Sequence, residues 1–375
     1  MRGTFAGRAL TGPARKVNAG LAGSTPILTA DGRTKRLGEL RSEDRVYGSH
    51  MVGRYRRYLV THVVELRRRV DPAFLVVLDD GTRLTVGADQ RFLSERGWKH
   101  VTGAEQGSRR RPHLTVNNSL MGIGRFASPP EADEDYRRGY LCGMIRGDGQ
   151  LGHYPQGAPG RPYAVVHRFR LALADDEALE RSRRYLTGFG VPTREFVFSE
   201  ATEARRRVSA IRAQSASAVE AIEEIVRWPL ASPSEGWRKG FLAGVFDAEG
   251  SCSKGILRFS NSDPQILSMI TDCLLHFGFR VVREAPRTFV NLPVTPIRLV
   301  GGLRERTRLF HTIRPAITRK TSMEGTALKS DAPLGIHSIT ALGSKIPLFE
   351  IVTAAGNVVA DGVVSDASPS GAEAG

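Results

Sequence analysis

At 375 residues the chain has room for two or three domains, and its 41% hydrophobic and 25% charged residues are those of a soluble globular protein. It has no run of 18 apolar residues and no apolar core of a secretory signal. Its three cysteines (Cys142, Cys252, Cys273) form no CxxC pair, so a membrane span, a disulfide scaffold and a cysteine-rich zinc site are not expected, and the cytoplasm is the expected compartment. The net charge of +15 points to a polyanionic partner, nucleic acid before a membrane surface; eight of the 54 basic residues are Lys and the rest are Arg, whose guanidinium makes two-point contacts with phosphate and guanine.

Residues 1–19 read as a basic leader. From Leu21 to about Leu93 the text reads as short β segments, with Asp31-Gly32 and Asp80-Gly81 as hairpin turns. Residues 104–118, with Arg109-Arg110-Arg111-Pro112, read as a linker. From Asp133 to about Gly325 the pattern is mixed helix and strand. It returns to β at Leu348–Thr353, turns at Gly356-Asn357, and continues through Val358–Val364 before a small, polar tail. The β text therefore comes in two pieces around a mixed block, as expected of one all-β domain interrupted by an insertion.

The block contains a repeat. Arg170, Asp175, Leu179, Phe189 and Gly190 recur 88 residues later as Arg258, Asp263, Leu267, Phe277 and Gly278. Each copy reads as a strand (Phe169–Leu173; Leu257–Ser260) and then a helix opened by an acidic or Pro position, where Pro264 suits a first helical turn. Ahead of the copies lie Arg138-Gly-Tyr-Leu-Cys-Gly-Met-Ile-Arg-Gly-Asp148-Gly149 and Lys239-Gly-Phe-Leu-Ala-Gly-Val-Phe-Asp-Ala-Glu249-Gly250, offset by 101. The first copy thus carries 13 extra residues, which the Gly/Pro-rich stretch Gly149–Pro162 is expected to hold as a loop.

Gly139 with Gly143, and Gly240 with Gly244, put two small residues on one face of each helix, so two helices can approach closely there. Each helical Gly costs roughly 1 kcal/mol relative to Ala, which suggests that the approach is needed. If the helices pack in parallel, Asp148 and Glu249 meet where both helix dipoles are negative. A divalent cation, Mg²⁺ or Mn²⁺, would relieve that repulsion and could serve phosphodiester hydrolysis.

The paired motifs resemble the two LAGLIDADG (dodecapeptide) signatures of single-chain homing endonucleases. The resemblance implies an α+β fold: a pseudo-symmetric tandem αββαββα domain over 119–330 (repeats about 133–230 and 231–330), a monomer acting as an internal pseudo-dimer on double-stranded DNA. It implies Asp148 and Glu249 as metal-binding, water-activating acids. Arg146 stands where the first motif usually has an acid, Asp247 keeps that acid in the second, and the position is commonly non-catalytic. The family's assisting Lys has candidates in Lys254 and Lys320; the first half offers no Lys, since none lies between Lys99 and Lys239, and an Arg or Gln150 is the expected stand-in there. Sheet residues Arg168, Arg170, Arg258 and Arg298 would read base edges. LAGLIDADG folds also serve transcription regulators, so DNA binding without cleavage is the alternative; the usual helix-turn-helix partner is not seen and both acids remain.

The flanks, 20–118 and 331–368, resemble an intein (Hint) splicing domain: Leu21–Gly32 its start, Leu84–Leu93 its Thr-x-x-His block, Val358–Ser368 its end. Splicing needs a nucleophile, an assisting His and a terminal His-Asn. Here Gly20 stands for the nucleophile, Gly87 and Gln90 for Thr and His, and Asp366-Ala367 for His-Asn, while Ser368 alone keeps a downstream hydroxyl. Gly20 cannot attack and Ala367 has no amide to cyclise, so splicing is expected to be lost. The basic stretches Arg54–Arg57 and Arg67–Arg69 would make the splicing-dead part an added DNA surface.

Overall fold

The structure is a computed structural model and describes residues 19–103, 111–158, 161–289, 292–329 and 334–369. The basic leader, most of the linker's arginines and the end of the tail lie outside the described residues. The chain divides into two compact units, one of Met1–Leu28, Thr34–Gly124 and Ala327–Gly375, the other of Thr29–Arg33 and Arg125–Thr326.

The first unit begins with strands β1 (Leu21–Ala22), β2 (Pro26–Leu28), β3 (Thr34–Arg36), β4 (Arg45–Val52), β5 (Tyr55–Leu78), β6 (Arg83–Gly87), β7 (Arg91–Ser94) and β8 (Gly97–His100). The second unit runs α1 (Glu134–Asp148), β9 (Gly149–Ala158), β10 (Arg161–Leu173), α2 (Asp176–Gly188), β11 (Arg194–Ser199), β12 (Val208–Ala213) and α3 (Ala216–Ile225). It then runs through the same order again: α4 (Glu235–Glu249), β13 (Gly250–Ser253), β14 (Ile256–Asn261), α5 (Pro264–His276), β15 (Val281–Arg283), a short β16 (Arg287–Phe289), β17 (Leu292–Leu299) and α6 (Gly302–Ile313). The chain closes the first unit with β18 (Ile336–Thr353), β19 (Asn357–Ala360) and β20 (Val363–Asp366).

In the first unit the late strands join the early ones. One sheet runs β18-β1-β6-β5-β4 and the other β3-β2-β19-β20-β7-β8. Leu21 pairs with Phe349 and Phe92 with Ser365, so residues from both ends of the chain share one core of Leu21, Val76, Val86, Phe92, Ile351, Val358 and Val363. Val358–Val364 is two strands rather than one. Asp361 and Gly362 both have positive φ (44° and 81°), the two-residue hairpin turn for which Asp-Gly is suited.

In the second unit each half folds a four-stranded antiparallel path, β11-β12-β10-β9 and β13-β14-β17-β15, with β16 paired to β17. The helices cover one face through Phe169, Leu171, Leu257, Phe259, Ile297 and Leu299. The repeated residues take matching places: Asp175 and Asp263 are N-caps, Leu179 and Leu267 are buried, and Phe189 and Phe277 are C-caps followed by Gly190 and Gly278 at φ 76° and 69°. In place of the expected loop over Gly149–Pro162, the described residues of that stretch lie in a long ribbon, with β9 paired to β10 from Gly149↔Leu171 out to Ala158↔Arg161. Proline does not forbid this, because β9 is an edge strand and Pro155 gives up no ladder hydrogen bond that the sheet interior needs.

Candidate active site

Helices α1 and α4 start alike. Asp133 accepts from Tyr136 N at 2.8 Å and Ser234 from Trp237 N at 3.1 Å, caps 101 residues apart like the motifs that follow them. The helices then run parallel with backbones in contact. A Cβ on Gly139 would meet the Trp237 carbonyl, on Gly143 the Phe241 carbonyl, on Gly240 the Tyr136 carbonyl and on Gly244 the Tyr140 carbonyl. All four glycines therefore sit on the shared face, and any side chain there would push the helices apart.

Both helices end on an acid and pass straight into a strand. Gly149 and Gly250 hold extended backbone (φ −84° and −79°), so their need is space: a Cβ would strike the Ile145 carbonyl in one and the Phe246 ring in the other. Gly147 has Ala248 and Glu249 as its nearest neighbours, which brings the two helix ends together. Burial, and after it the like charge of Asp148, pushes Glu249 up to about 7. The surrounding protein raises Asp148 too, although its side chain has an open side to solvent. The Lys320 charge opposes both shifts. Lys320 stands in a 3-10 turn, Thr318–Thr321, and its Nζ donates to the Phe246 and Asp247 carbonyls at 3.1 and 2.6 Å. A cation there satisfies the open carbonyls and the negative end of α4. Asn261 Nδ2 donates to Glu249 Oε1 at 3.2 Å. The sequence offered no sign of Asn261, because its counterpart 88 residues earlier is Leu173.

Lys254 stands elsewhere. It holds φ 50° at the tip of the β13–β14 hairpin, about 13 Å of strand beyond the end of α4. The structure thus brings Lys320, and not Lys254, to the two acids.

Asp247 faces inward. Its carboxylate accepts from Tyr140 Oη (2.9 Å), Ala316 N (2.6 Å) and Ile317 N (3.1 Å), while burial pushes its pKa up. Arg181 grips the same segment through the Arg314 and Pro315 carbonyls. Asp247 and Arg181 therefore fix the approach of residues 314–317 and, with them, the turn that holds Lys320. The corresponding Arg146 does the mirrored task with opposite polarity, donating to the Val226 carbonyl at 3.0 and 2.9 Å beneath the Trp228 ring.

The arginines expected to face DNA lie on the sheet faces turned from the helices, since each alternates with buried neighbours. Arg168 lies over Tyr154 and Arg170 over Phe198. Arg258 and Arg298 are cross-strand partners that share the carboxylate of Glu284, a residue the sequence did not single out.

Residues 236–288 match the family model described as the LAGLIDADG-like domain. That segment holds the second glycine pair, Glu249 and Asn261. Among curated proteins none matches the chain. Among solved structures, mesophilic variants of the homing endonuclease I-DmoI are similar at 18% identity and TM-score 0.39, covering 48% of this chain and 96% of that one. I-DmoI in complex with DNA and Mn is similar at 19% and 0.38, over 48% and 97%. Full-length DUF199/WhiA from Thermatoga maritima is similar at 16% and 0.35, over 51% and 59%.

In the first unit the six positions singled out at its ends converge. Gly20 N donates to Gln90 Oε1 at 2.9 Å and Gly87 N to the Gly20 carbonyl at 2.9 Å. Gln90 Nε2 donates to Ser365 Oγ and to the Asp366 carbonyl, both at 2.9 Å. Ala367 bonds through its backbone to Thr353 and Gly356, and Ser368 Oγ donates to Asp366 Oδ1 at 2.8 Å. Gln90 thus links residues near both ends of the chain with neutral amide chemistry.

Proposed function

We propose that the chain is a site-specific endonuclease that hydrolyses phosphodiesters of double-stranded DNA, built as a two-copy LAGLIDADG domain inserted in a splicing-dead Hint-like domain. The observation that carries this reading is the meeting of Asp148 and Glu249 at the ends of two parallel, glycine-faced helices, with their charges coupled and Lys320 beside them. The LAGLIDADG-like match over 236–288 supports it, as do the repeated element order and the +15 charge.

The donor set fits a small, hard divalent cation. Two carboxylates that repel one another are held at an open-sided helix end, and among the described residues no third His, Cys, Asp or Glu joins them. Mg²⁺ and Mn²⁺ suit such a set, because they keep sites for water and phosphate oxygens beside one or two protein carboxylates. Asp148 and Glu249 would hold the cation, which supplies an activated water and stabilises the leaving oxygen. Asn261 orients the Glu249 carboxylate. Lys320 counters the acids' mutual charge and would also offset negative charge gathering on a phosphate held there. Because both halves lie in one chain, a monomer suffices.

The first unit fits a Hint-like scaffold in which Gly20, Gln90 and Ala367 have replaced the splicing groups. The test is cleavage of a plasmid library in Mg²⁺ against EDTA, with Asp148→Asn and Glu249→Gln beside the parent. Metal-dependent double-strand cuts lost in both variants are expected. Salt-sensitive binding to one sequence without any cut would replace the endonuclease with a DNA-binding protein.

A further inference from the structure

The two sheet faces that turn from the helices carry the same kind of charge in two different settings. On the first, Arg168, Arg170 and Arg212 lie over Tyr154, Phe198 and Phe196, with no carboxylate within ion-pair distance of them among the described residues. On the second, Glu284 gathers three arginines. Arg258 gives it two hydrogen bonds, Nε to Oε2 at 2.9 Å and Nη2 to Oε1 at 3.0 Å. Arg287 Nη2 reaches Oε2 at 2.9 Å, and Arg298 Nε lies 3.2 Å from Oε1.

Glu284 itself is fixed by backbone: its N donates to the Pro296 carbonyl at 2.9 Å, next to the Arg258↔Arg298 pair. The hydrogen bonds from Arg258, and then the charges of Arg258, Arg287 and Arg298, hold its carboxyl below the usual range. A partly exposed ion pair on an open sheet face adds little to fold stability. Its effect is on the arginines. An Arg on a free stem follows any phosphate, whereas one held side-on by a carboxylate presents its remaining N–H groups in one fixed direction. A carboxylate on a surface meant for a polyanion also weakens indiscriminate binding, a repulsive element of the kind that specificity needs.

Resting on the DNA reading above, we propose that Glu284 is a specificity-determining residue: it holds Arg258 and Arg298 as a fixed donor array for base edges on the second sheet. The proposal concerns DNA recognition and adds no step to the chemistry.

The test uses the full chain, its Glu284→Gln and Glu284→Asp variants, and Arg170→Ala as a control on the first sheet. The probes are a random-sequence duplex and a duplex enriched from a randomised library by the parent protein. Binding to both is followed over a range of salt, with circular dichroism to check folding. Glu284→Gln is expected to bind the random duplex more tightly, with a salt slope steeper by about one phosphate contact. Its preference for the enriched duplex is expected to fall about tenfold, with the relaxed bases confined to one half of the site. Glu284→Asp, which keeps the charge, should retain most of the preference, and Arg170→Ala should leave the bases that Glu284→Gln relaxes still discriminated. A folded Glu284→Gln protein with an unchanged preference overturns the role of Glu284. A parent that binds no duplex in a salt-dependent way overturns the DNA reading instead.

Discussion

Lys320 Nζ donates to the Asp247 carbonyl at 2.6 Å, and so closes the end of the helix that carries Glu249. One ammonium thereby serves a helix terminus and two acids. Burial lowers its own pKa, while the charges of Asp247, Asp175 and Asp148 oppose that shift. Lys320→Met would leave the α4 carbonyls without this donor and remove the charge that restrains both carboxylates. Cleavage is expected to fall by about 10²-fold or more. Its pH dependence should move to higher pH, because Asp148 and Glu249 would hold their protons longer. Lys320→Arg should recover part of the rate. Rates measured from pH 6 to 9 decide the matter; an unmoved profile in Lys320→Met would remove Lys320 from the site.

Glu249 gives a stability prediction with a definite sign. Its pKa rises from 4.5 unfolded to about 7 folded. Below 4.5 both states are protonated and the site costs nothing. Between 4.5 and about 7 the folded state keeps a proton that the unfolded state gives up, so stability falls as pH rises through that window and stays lower above it. In metal-free buffer Glu249→Gln should be more stable than the parent at pH 8, by about 1–2 kcal/mol once solvent screening is allowed for. The gap should narrow through pH 5 and close by about pH 4. Thermal unfolding at these pH values checks this, and a gap independent of pH would mean that the carboxylate is not strained.

The glycine pairs predict an asymmetry between surface and interface. Gly143→Ala and Gly244→Ala each place a methyl on the backbone of the facing helix. Helix propensity alone favours Ala by roughly 1 kcal/mol. Overpacking against a rigid carbonyl costs about 1–3 kcal/mol or more, so both variants should unfold at lower temperature than the parent. Any displacement of the helices also separates Asp148 from Glu249, so activity should fall further than stability does. A Gly→Ala change that stabilised the protein would disprove the close contact.

Much of the second unit was legible because its determinants are local and repeated. The cap Asp263, Pro264 at a helix start, and two glycines at four-residue spacing each act within one turn of chain, whereas Asp175 sits at the matching N-cap position but spends its carboxylate on Arg206 and Arg319. What escaped was decided by distance. Glu284 matters through strands that the fold brings beside it, and Asn261 through the end of a helix 12 residues back. Lys254 and Lys320 were both candidates in the sequence, Lys320 also lying in a segment, Arg314–Lys320, that resembles the family's; the path of residues 314–317, pinned by Asp247 and Arg181, separates them in space. The ribbon within Gly149–Pro162 was hidden by composition: Gly and Pro signal a turn in isolation, yet an edge strand tolerates both. In the first unit the turn residues were readable, but Asp361-Gly362 was absorbed into an apolar run whose two halves fold back on each other.

The first unit predicts an outcome for the chain's own ends. Gln90 binds Gly20 N and the Asp366 carbonyl at once, so the ends of a would-be splicing reaction are already together. Proximity alone supplies no chemistry, because Gly20 offers no hydroxyl or thiol and Ala367 no side-chain amide. Gln90 cannot shuttle a proton as a His could. Ser368 Oγ is the one hydroxyl at the predicted downstream nucleophile position; it donates to Asp366 Oδ1 at 2.8 Å, with the Gly356 carbonyl 3.1 Å away as the other acceptor in reach. The purified 41.0 kDa chain should therefore keep its mass through prolonged incubation with dithiothreitol or hydroxylamine. Gln90→His should leave that result unchanged, since Gly20, which position 90 faces, has no nucleophile to activate and Ala367 still has no amide to cyclise. A fragment beginning at Gly20 or ending at Ala367, found by intact-mass spectrometry, would show that this unit still breaks its own backbone.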